Sequence, residues 1–144
     1  MTDAPRLDRQ VCFALYSASR AATAVYRPVL EQLGLTYPQY LVMLVLWEND
    51  PRGVKEIGEE LGLDSGTLSP LLKRLEALGL VERRRSGEDE RRVAIHLTPA
   101  GRSLSGPAAA IPQRLADAAG LSTAELEQLR RTLGKLTSAL QAAH

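Results

Sequence analysis

Two helical segments joined by Gly62-Leu63-Asp64, and followed at once by two alternating runs around an acidic turn, constrain this chain more than any other feature. The first segment spans Val54 to Leu61 and the second Ser65 to Leu78. Gly62 and Gly79 stand where a left-handed residue ends a helix, and a three-residue break between helices is the spacing of a helix-turn-helix. Pro70 falls early in the second segment, where a missing backbone donor costs least, and Gly66 gives the preceding turn room to adapt. Leu80 to Arg85 and Arg91 to Leu97 read as strands, with Ser86 to Glu90 as their turn. The unit predicted is a helix-turn-helix carrying a β-hairpin wing.

Upstream, apolar residues recur at Val11, Leu15, Ala18, Ala22, Val25 and Val29, steps of three or four that line one face of a long helix from Asp8 to about Leu33. Pro28 predicts a kink near Ala24 to Arg27, and Gly34 the helix end. Thr36 and Gln39 form a capping box, with Leu35 and Tyr40 as a hydrophobic staple, and so start a second helix that runs to about Asn49. That helix is apolar almost all round and belongs in the interior. Phe13, Tyr40 and Trp47 are read as core.

Downstream of the wing, Thr98-Pro99 opens another helix and Gly106-Pro107 interrupts it. Ser122 and Glu125 then cap a last helix, whose Leu126, Leu129, Leu133, Leu136 and Leu140 form a narrow seam. The fold class expected is mainly α with a small β-hairpin: a single protomer over 1–144, with a winged helix-turn-helix at 36–98 between helical arms at 1–35 and 99–144. Narrow apolar seams at both ends of so small a chain predict a homodimer formed by those arms.

With 18 Lys and Arg against 17 Asp and Glu, the net charge of +1 does not announce a polyanionic partner, so only the placement of charge can. No apolar run approaches the roughly 20 residues of a membrane-crossing helix, and the polar start from Met1 to Arg6 lacks the apolar stretch of a signal peptide; a cytoplasmic protein is expected. A single cysteine cannot form an intramolecular disulfide and supplies too few sulfurs for a structural zinc site. Neither His96 nor His144 has a ligand partner one helical turn away, so no metal or cofactor is implied. Cys12 is either inert packing or a reactive thiol.

The second helix of a helix-turn-helix fits the major groove of B-DNA, and a hairpin beside it reaches the flanking backbone or minor groove. Ser65, Thr67, Ser69, Lys73 and Arg74 are placed to face outward from that helix, while Leu68, Leu71, Leu72, Leu75 and Leu78 face the core. In the wing, Arg83, Arg84, Arg85, Arg91 and Arg92 bring five guanidinium groups to one hairpin, tempered by Glu88, Asp89 and Glu90. Asp89 paired with Arg91 would hold a guanidinium plane for a narrow minor groove, where negative potential is greatest. The partner expected is double-stranded DNA, and two such modules in a dimer would read a near-palindromic operator.

Taken together, Thr36-Tyr37-Pro38-Gln39-Tyr40, the run Asp64-Ser65-Gly66-Thr67-Leu68-Ser69-Pro70, Glu88-Asp89-Glu90-Arg91-Arg92 and the early Cys12-Phe13-Ala14-Leu15-Tyr16 resemble a MarR-type regulator. More narrowly, they are similar to the organic hydroperoxide resistance (OhrR) regulators. The resemblance covers nearly the whole chain and, in the absence of a second cysteine, is to the one-cysteine branch. It implies a homodimeric repressor that binds DNA while reduced, with a reactive cysteine near the start of the first helix. It also implies tyrosines around the sulfur, matched here by Tyr16, Tyr26 and Tyr37, some of them from the partner subunit.

The residues bear on that chemistry in one respect of their own. Cys12 and Tyr16, four apart, share a helix face, so a phenol O–H can reach the sulfur and favour a thiolate. A thiolate attacks the outer oxygen of a hydroperoxide and becomes a sulfenic acid, which a small cellular thiol would then trap. On this reading organic hydroperoxides and a small thiol are the reactants. The adduct displaces the tyrosines, shifts the first helix and changes the spacing of two recognition helices. Two alternatives stay open: a repressor gated by a small phenolic or aromatic ligand, with Cys12 incidental, and a thiol peroxidase. Against the peroxidase stand the missing resolving thiol and the missing acid for the leaving alkoxide, so the chain is not expected to be an enzyme.

Overall fold

The computed structural model describes residues 4–86 and 89–143, with the side chains of 86 and 89–91 also outside the description. The chain divides into two compact units, Met1–Ala109 and Ala110–His144. In the first, a 3-10 turn at Leu7–Arg9 precedes helix α1 (Val11–Leu33) and helix α2 (Tyr37–Glu48). Strand β1 (Arg52–Gly53), helices α3 (Val54–Leu61) and α4 (Ser65–Ala77), strands β2 (Val81–Ser86) and β3 (Asp89–Leu97), and short helices α5 (Pro99–Ser103) and α6 (Ser105–Ala108) follow. The second unit holds α7 (Ile111–Ala119) and α8 (Thr123–Ala142).

The helix ends follow from local chemistry. At the start of α2 the Gln39 amide donates to Thr36 Oγ1 at 3.3 Å while the Thr36 amide donates to Gln39 Oε1 at 3.0 Å, a complete capping box that satisfies two orphan donors. Ser122 and Glu125 do the same for α8, at 3.1 and 3.0 Å. Gly34 and Gly62 take φ of 73° and 68°, and from that left-handed position their amides return to carbonyls of the last turns of α1 and α3. Helix α1 carries Pro28 inside it. The interruption expected at Gly106-Pro107 falls instead at Leu104 and at Ala109-Ala110, because Pro107 is early enough in α6 that no intrahelical donor is lost.

The sheet is antiparallel with strand order β1-β3-β2. Val81 pairs Leu97, Arg83 pairs Ile95 and Arg85 pairs Val93, with a register shift between Arg85 and Ser86. Strand β1, absent from the sequence reading, is two residues long and pairs Arg52 with Ile95 and Gly53 with Ala94. So short a strand has no periodicity of its own and exists only because β3 offers a free edge.

The core sits where α2, α3 and α4 meet the sheet: Val42, Met43 and Leu46 from α2, Ile57 from α3, Leu68, Leu72 and Leu75 from α4, Val81 and Ile95 from the wing. Trp47, also expected there, is half-buried, and two further expected core residues are on the surface. Leu78 lies just beyond α4 and is 51 % exposed, and Phe13 is 41 % exposed on α1, whose only buried residue is Leu30. Helix α8 has no buried residue, and Leu129 and Leu140 of its seam are exposed. Among the described residues, no helix is long and apolar enough to cross a membrane.

Candidate thiol site and nucleic-acid interface

Cys12 is the second residue of α1 and is exposed. It occupies the first helical turn, where backbone donors have no intrahelical acceptor. Tyr16, one turn on, shares its face and is 60 % exposed. The Arg20 guanidinium lies 5.5 Å above the Tyr16 ring, a further turn along the same face. Among the described residues, no side chain is hydrogen-bonded to Cys12.

Tyr26 and Tyr37 lie elsewhere in the protomer. Fourteen residues of α-helix separate Cys12 from Tyr26, a distance of about 21 Å. The Tyr26 and Tyr37 rings stack at 5.5 Å with planes 13° apart, and Tyr40 closes the group with centroids 6.3 and 6.1 Å from them. Tyr40 in turn meets Trp47 edge-on at 6.3 Å, and Trp47 Nε1 donates to the Gly101 carbonyl at 2.9 Å. Burial pushes the phenols of Tyr26 and Tyr40 up, and the neighbouring tyrosines add to it, so both stay neutral donors through the physiological range. Of the three tyrosines singled out from sequence, one chain brings only Tyr16 to Cys12. Tyr26 and Tyr37 stay together, with a third member, Tyr40, that sequence reading assigned to core alone.

The helix-turn-helix face is arranged largely as its pattern predicts. Leu68, Leu71, Leu72 and Leu75 of α4 are buried, Ser65, Thr67, Lys73 and Arg74 are exposed, and Ser69 is half-buried. Asp64, read from sequence as part of the turn, is the N-cap of α4: its Oδ1 accepts from the Thr67 amide at 2.8 Å. That bond, with a further one from the Gly66 amide, holds the Asp64 carboxyl below its ordinary range. The carboxylate already occupies the anion-binding end of the helix.

The described wing arginines point in more than one direction. Strand alternation sends Arg83 and Arg84 to opposite faces. Arg83 turns back to Glu76 of α4 at 3.9 Å, Arg84 pairs with Glu82 at 2.7 Å, and Arg85 and Arg92 are exposed. Glu88, the side chains of Asp89 and Arg91, and with them the expected Asp89 to Arg91 pair, lie outside the described residues. A cleft of about 1210 Å³ opens between β1, α3, the start of α4 and the wing, and Arg52, Lys55, Arg83 and Arg92 line it together with Glu56 and Glu59. Among the described residues, no group of three or more His, Cys, Asp or Glu is placed to hold a metal ion.

Residues 24–106 match the family model for the transcriptional regulator SarA/Rot. The organic hydroperoxide resistance transcriptional regulator of Bacillus subtilis is 47% identical over 138 residues, covering 96% of this chain and 94% of that one. Among solved structures, reduced AbfR bound to DNA superposes with a TM-score of 0.77 at 38% identity over 94% of each chain. Disulfide-formed AbfR superposes at 0.65, again at 38% identity, over 95% of this chain and 91% of that one. Sequence and fold agree, and the chain belongs to the MarR-type winged-helix DNA-binding transcriptional regulators, related to SarA/Rot and to organic hydroperoxide resistance regulators.

Proposed function

We propose that the protein is a redox-sensing repressor, a homodimer that holds a near-palindromic operator while Cys12 is reduced and releases it when an organic hydroperoxide oxidises that sulfur. The observation that carries the reading is an exposed cysteine in the first turn of α1, one turn before an exposed tyrosine, in a chain 47% identical to an organic hydroperoxide resistance regulator along nearly its whole length. The likeness to AbfR, a protein seen both reduced on DNA and disulfide-formed, supports it. Leu7, just before α1, and Val11, Phe13 and Tyr16 in its first turns leave apolar side chains uncovered, and Leu129 and Leu140 do so on α8, which suits burial against a second subunit.

The chemistry balances with two reactants. The Cys12 thiolate attacks the outer peroxide oxygen, the O–O bond breaks, and the alkoxide leaves to be protonated as an alcohol; sulfur is oxidised to sulfenic acid and the peroxide is reduced. A small cellular thiol then displaces the sulfenic oxygen as water and leaves a mixed disulfide. In one protomer Tyr26 stands about 21 Å along α1 from Cys12 and Tyr37 stacks on Tyr26, so they serve a sulfur only across the subunit boundary, in the partner's copy of α1. A bulky adduct there displaces the phenols, shifts α1 and alters the separation of the two α4 helices, and a rigid duplex penalises the wrong spacing. Ser65, Thr67, Ser69, Lys73 and Arg74 contact the major groove, and Arg83, Arg84, Arg85, Asp89, Arg91 and Arg92 place the wing at the flanking minor groove.

The test is a binding titration of reduced protein on a near-palindromic promoter fragment, with and without cumene hydroperoxide plus a small thiol. Native protein should release the fragment, while Cys12→Ser and the alkylated native protein should stay bound. Release by the Cys12→Ser variant contradicts the reading. A response to a phenolic acid that survives alkylation would favour ligand gating instead.

A further inference from the structure

We propose that Asp50 is a positioning residue for operator reading: it completes the β1 edge of the sheet with its side chain and, through Arg102, locks the root of the wing to α5. The antiparallel register pairs Arg52 with Ile95 and Gly53 with Ala94, so continuing it by two residues places position 50 opposite Leu97. Pro51 has no amide with which to extend the ladder. Asp50 takes over with its carboxylate: Oδ1 accepts from the Leu97 amide at 3.0 Å, and Oδ2 accepts from Arg102 at 3.0 Å. The Asp50 side chain is only 13 % exposed, while that of Arg102 is 68 % exposed. One largely covered carboxylate therefore joins the α2–β1 connection, the end of β3 and α5.

Its leverage comes from geometry. Strand β3 has nine residues, so the wing tip stands about 26 Å from Leu97. A tilt of about 5° at the root then moves the tip by about 2 Å, enough to take an arginine out of hydrogen-bond reach of a groove. Only two β1 residues pair with β3, so the backbone ladder on that side offers little resistance. Helix α4 is held independently, by Leu68, Leu71, Leu72 and Leu75 in the core. Loss of Asp50 should thus blunt what the wing reads while leaving what α4 reads, which is a change in specificity and not only in affinity.

This inference rests on the wing reading proposed above, and its test separates the two. Reduced full-length protein is footprinted with hydroxyl radicals on a selected near-palindromic duplex, and its affinity is compared between A·T-rich and G·C-rich flanks. Asp50→Ala should lose protection and preference at the flanks, with roughly a tenfold fall in affinity for the A·T-rich duplex, and should keep protection of the half-site cores. Asp50→Asn, which keeps an acceptor for the Leu97 amide, and Arg102→Gln, which removes only the exposed partner, should each show a smaller loss of the same kind. Thr36→Ala, whose lost cap is at α2 and away from the wing, serves as a destabilised control and should keep the flank preference.

Unchanged flank preference in Asp50→Ala overturns the inference. So does a loss spread evenly over core and flanks and matched by the control. If Asp50→Ala does not fold, native flank preference in both Asp50→Asn and Arg102→Gln overturns it equally. If the native protein shows no flank protection, the wing reading fails first and the inference with it.

Discussion

Replacing Gly101 by alanine should destabilise the wing root, since among the described glycines an added Cβ meets its nearest neighbour most closely here. A Cβ at this buried position would stand 2.1 Å from the Leu80 carbonyl oxygen, 3.1 Å from its carbon and 3.3 Å from Leu97 Cδ2. Since Cβ contacts below 3.0 Å are essentially never seen, about 1 Å of space must open, and the obstacle is backbone, not a side chain that can rotate. The same Leu80 carbonyl accepts from the Thr98 amide at 3.1 Å, and the Gly101 carbonyl accepts from Trp47 Nε1 at 2.9 Å, so relief of the clash strains both. Overpacking costs about 1–3 kcal/mol and a weakened hydrogen bond about 0.5–1.5, so a loss of roughly 3 kcal/mol is expected. Urea unfolding at fixed protein concentration, followed through the fluorescence of the single tryptophan, Trp47, measures it directly. Gly134→Ala, at an exposed site of α8 with nothing within 4 Å, is the control and should stabilise by about 0.5–1 kcal/mol. A Gly101→Ala loss under about 0.5 kcal/mol, with native Trp47 emission, would refute this account of how α5 packs on the wing.

Asp64→Asn should keep the α4 cap but remove its acid sensitivity. The native carboxyl titrates below its ordinary value because it accepts the Thr67 amide, so its contribution is complete above the usual carboxylate range and is lost as pH falls through the lowered value. The variant's stability, followed by thermal melting, should therefore flatten relative to native below about pH 4; parallel curves would contradict the assignment. Thr36→Ala removes the α2 cap and should cost about 1 kcal/mol in urea unfolding, with no change in slope. Lys73→Ala should weaken operator and random-duplex binding alike and, for the homodimer proposed above with one phosphate contact per subunit, reduce the magnitude of the log–log salt slope by about two; a loss confined to one sequence would assign Lys73 to a base instead.

Much of this protein is written in short stretches of sequence. Thr36 with Gln39, Ser122 with Glu125, and the glycines at 34, 62 and 79 set helix ends through groups no more than a turn apart, and the leucine spacing of α4 fixes which of its faces is buried. These signals are local, so neighbours in sequence suffice to specify them. The helix-turn-helix, the hairpin and the face shared by Cys12 and Tyr16 follow for that reason. The tertiary structure decided the rest, because the deciding partner lies far along the chain. Strand β1 exists only against β3, Asp50 finds Leu97 and Arg102 across 47 and 52 residues, and Trp47 finds Gly101 across 54. Arg83 is drawn to Glu76 and away from its sequence neighbours, Tyr40 joins Tyr26 and Tyr37, and Phe13 and Leu78 stay on the surface despite apolar side chains. Periodicity says which side of an element is apolar; whether that side is covered depends on what the folded chain brings to it.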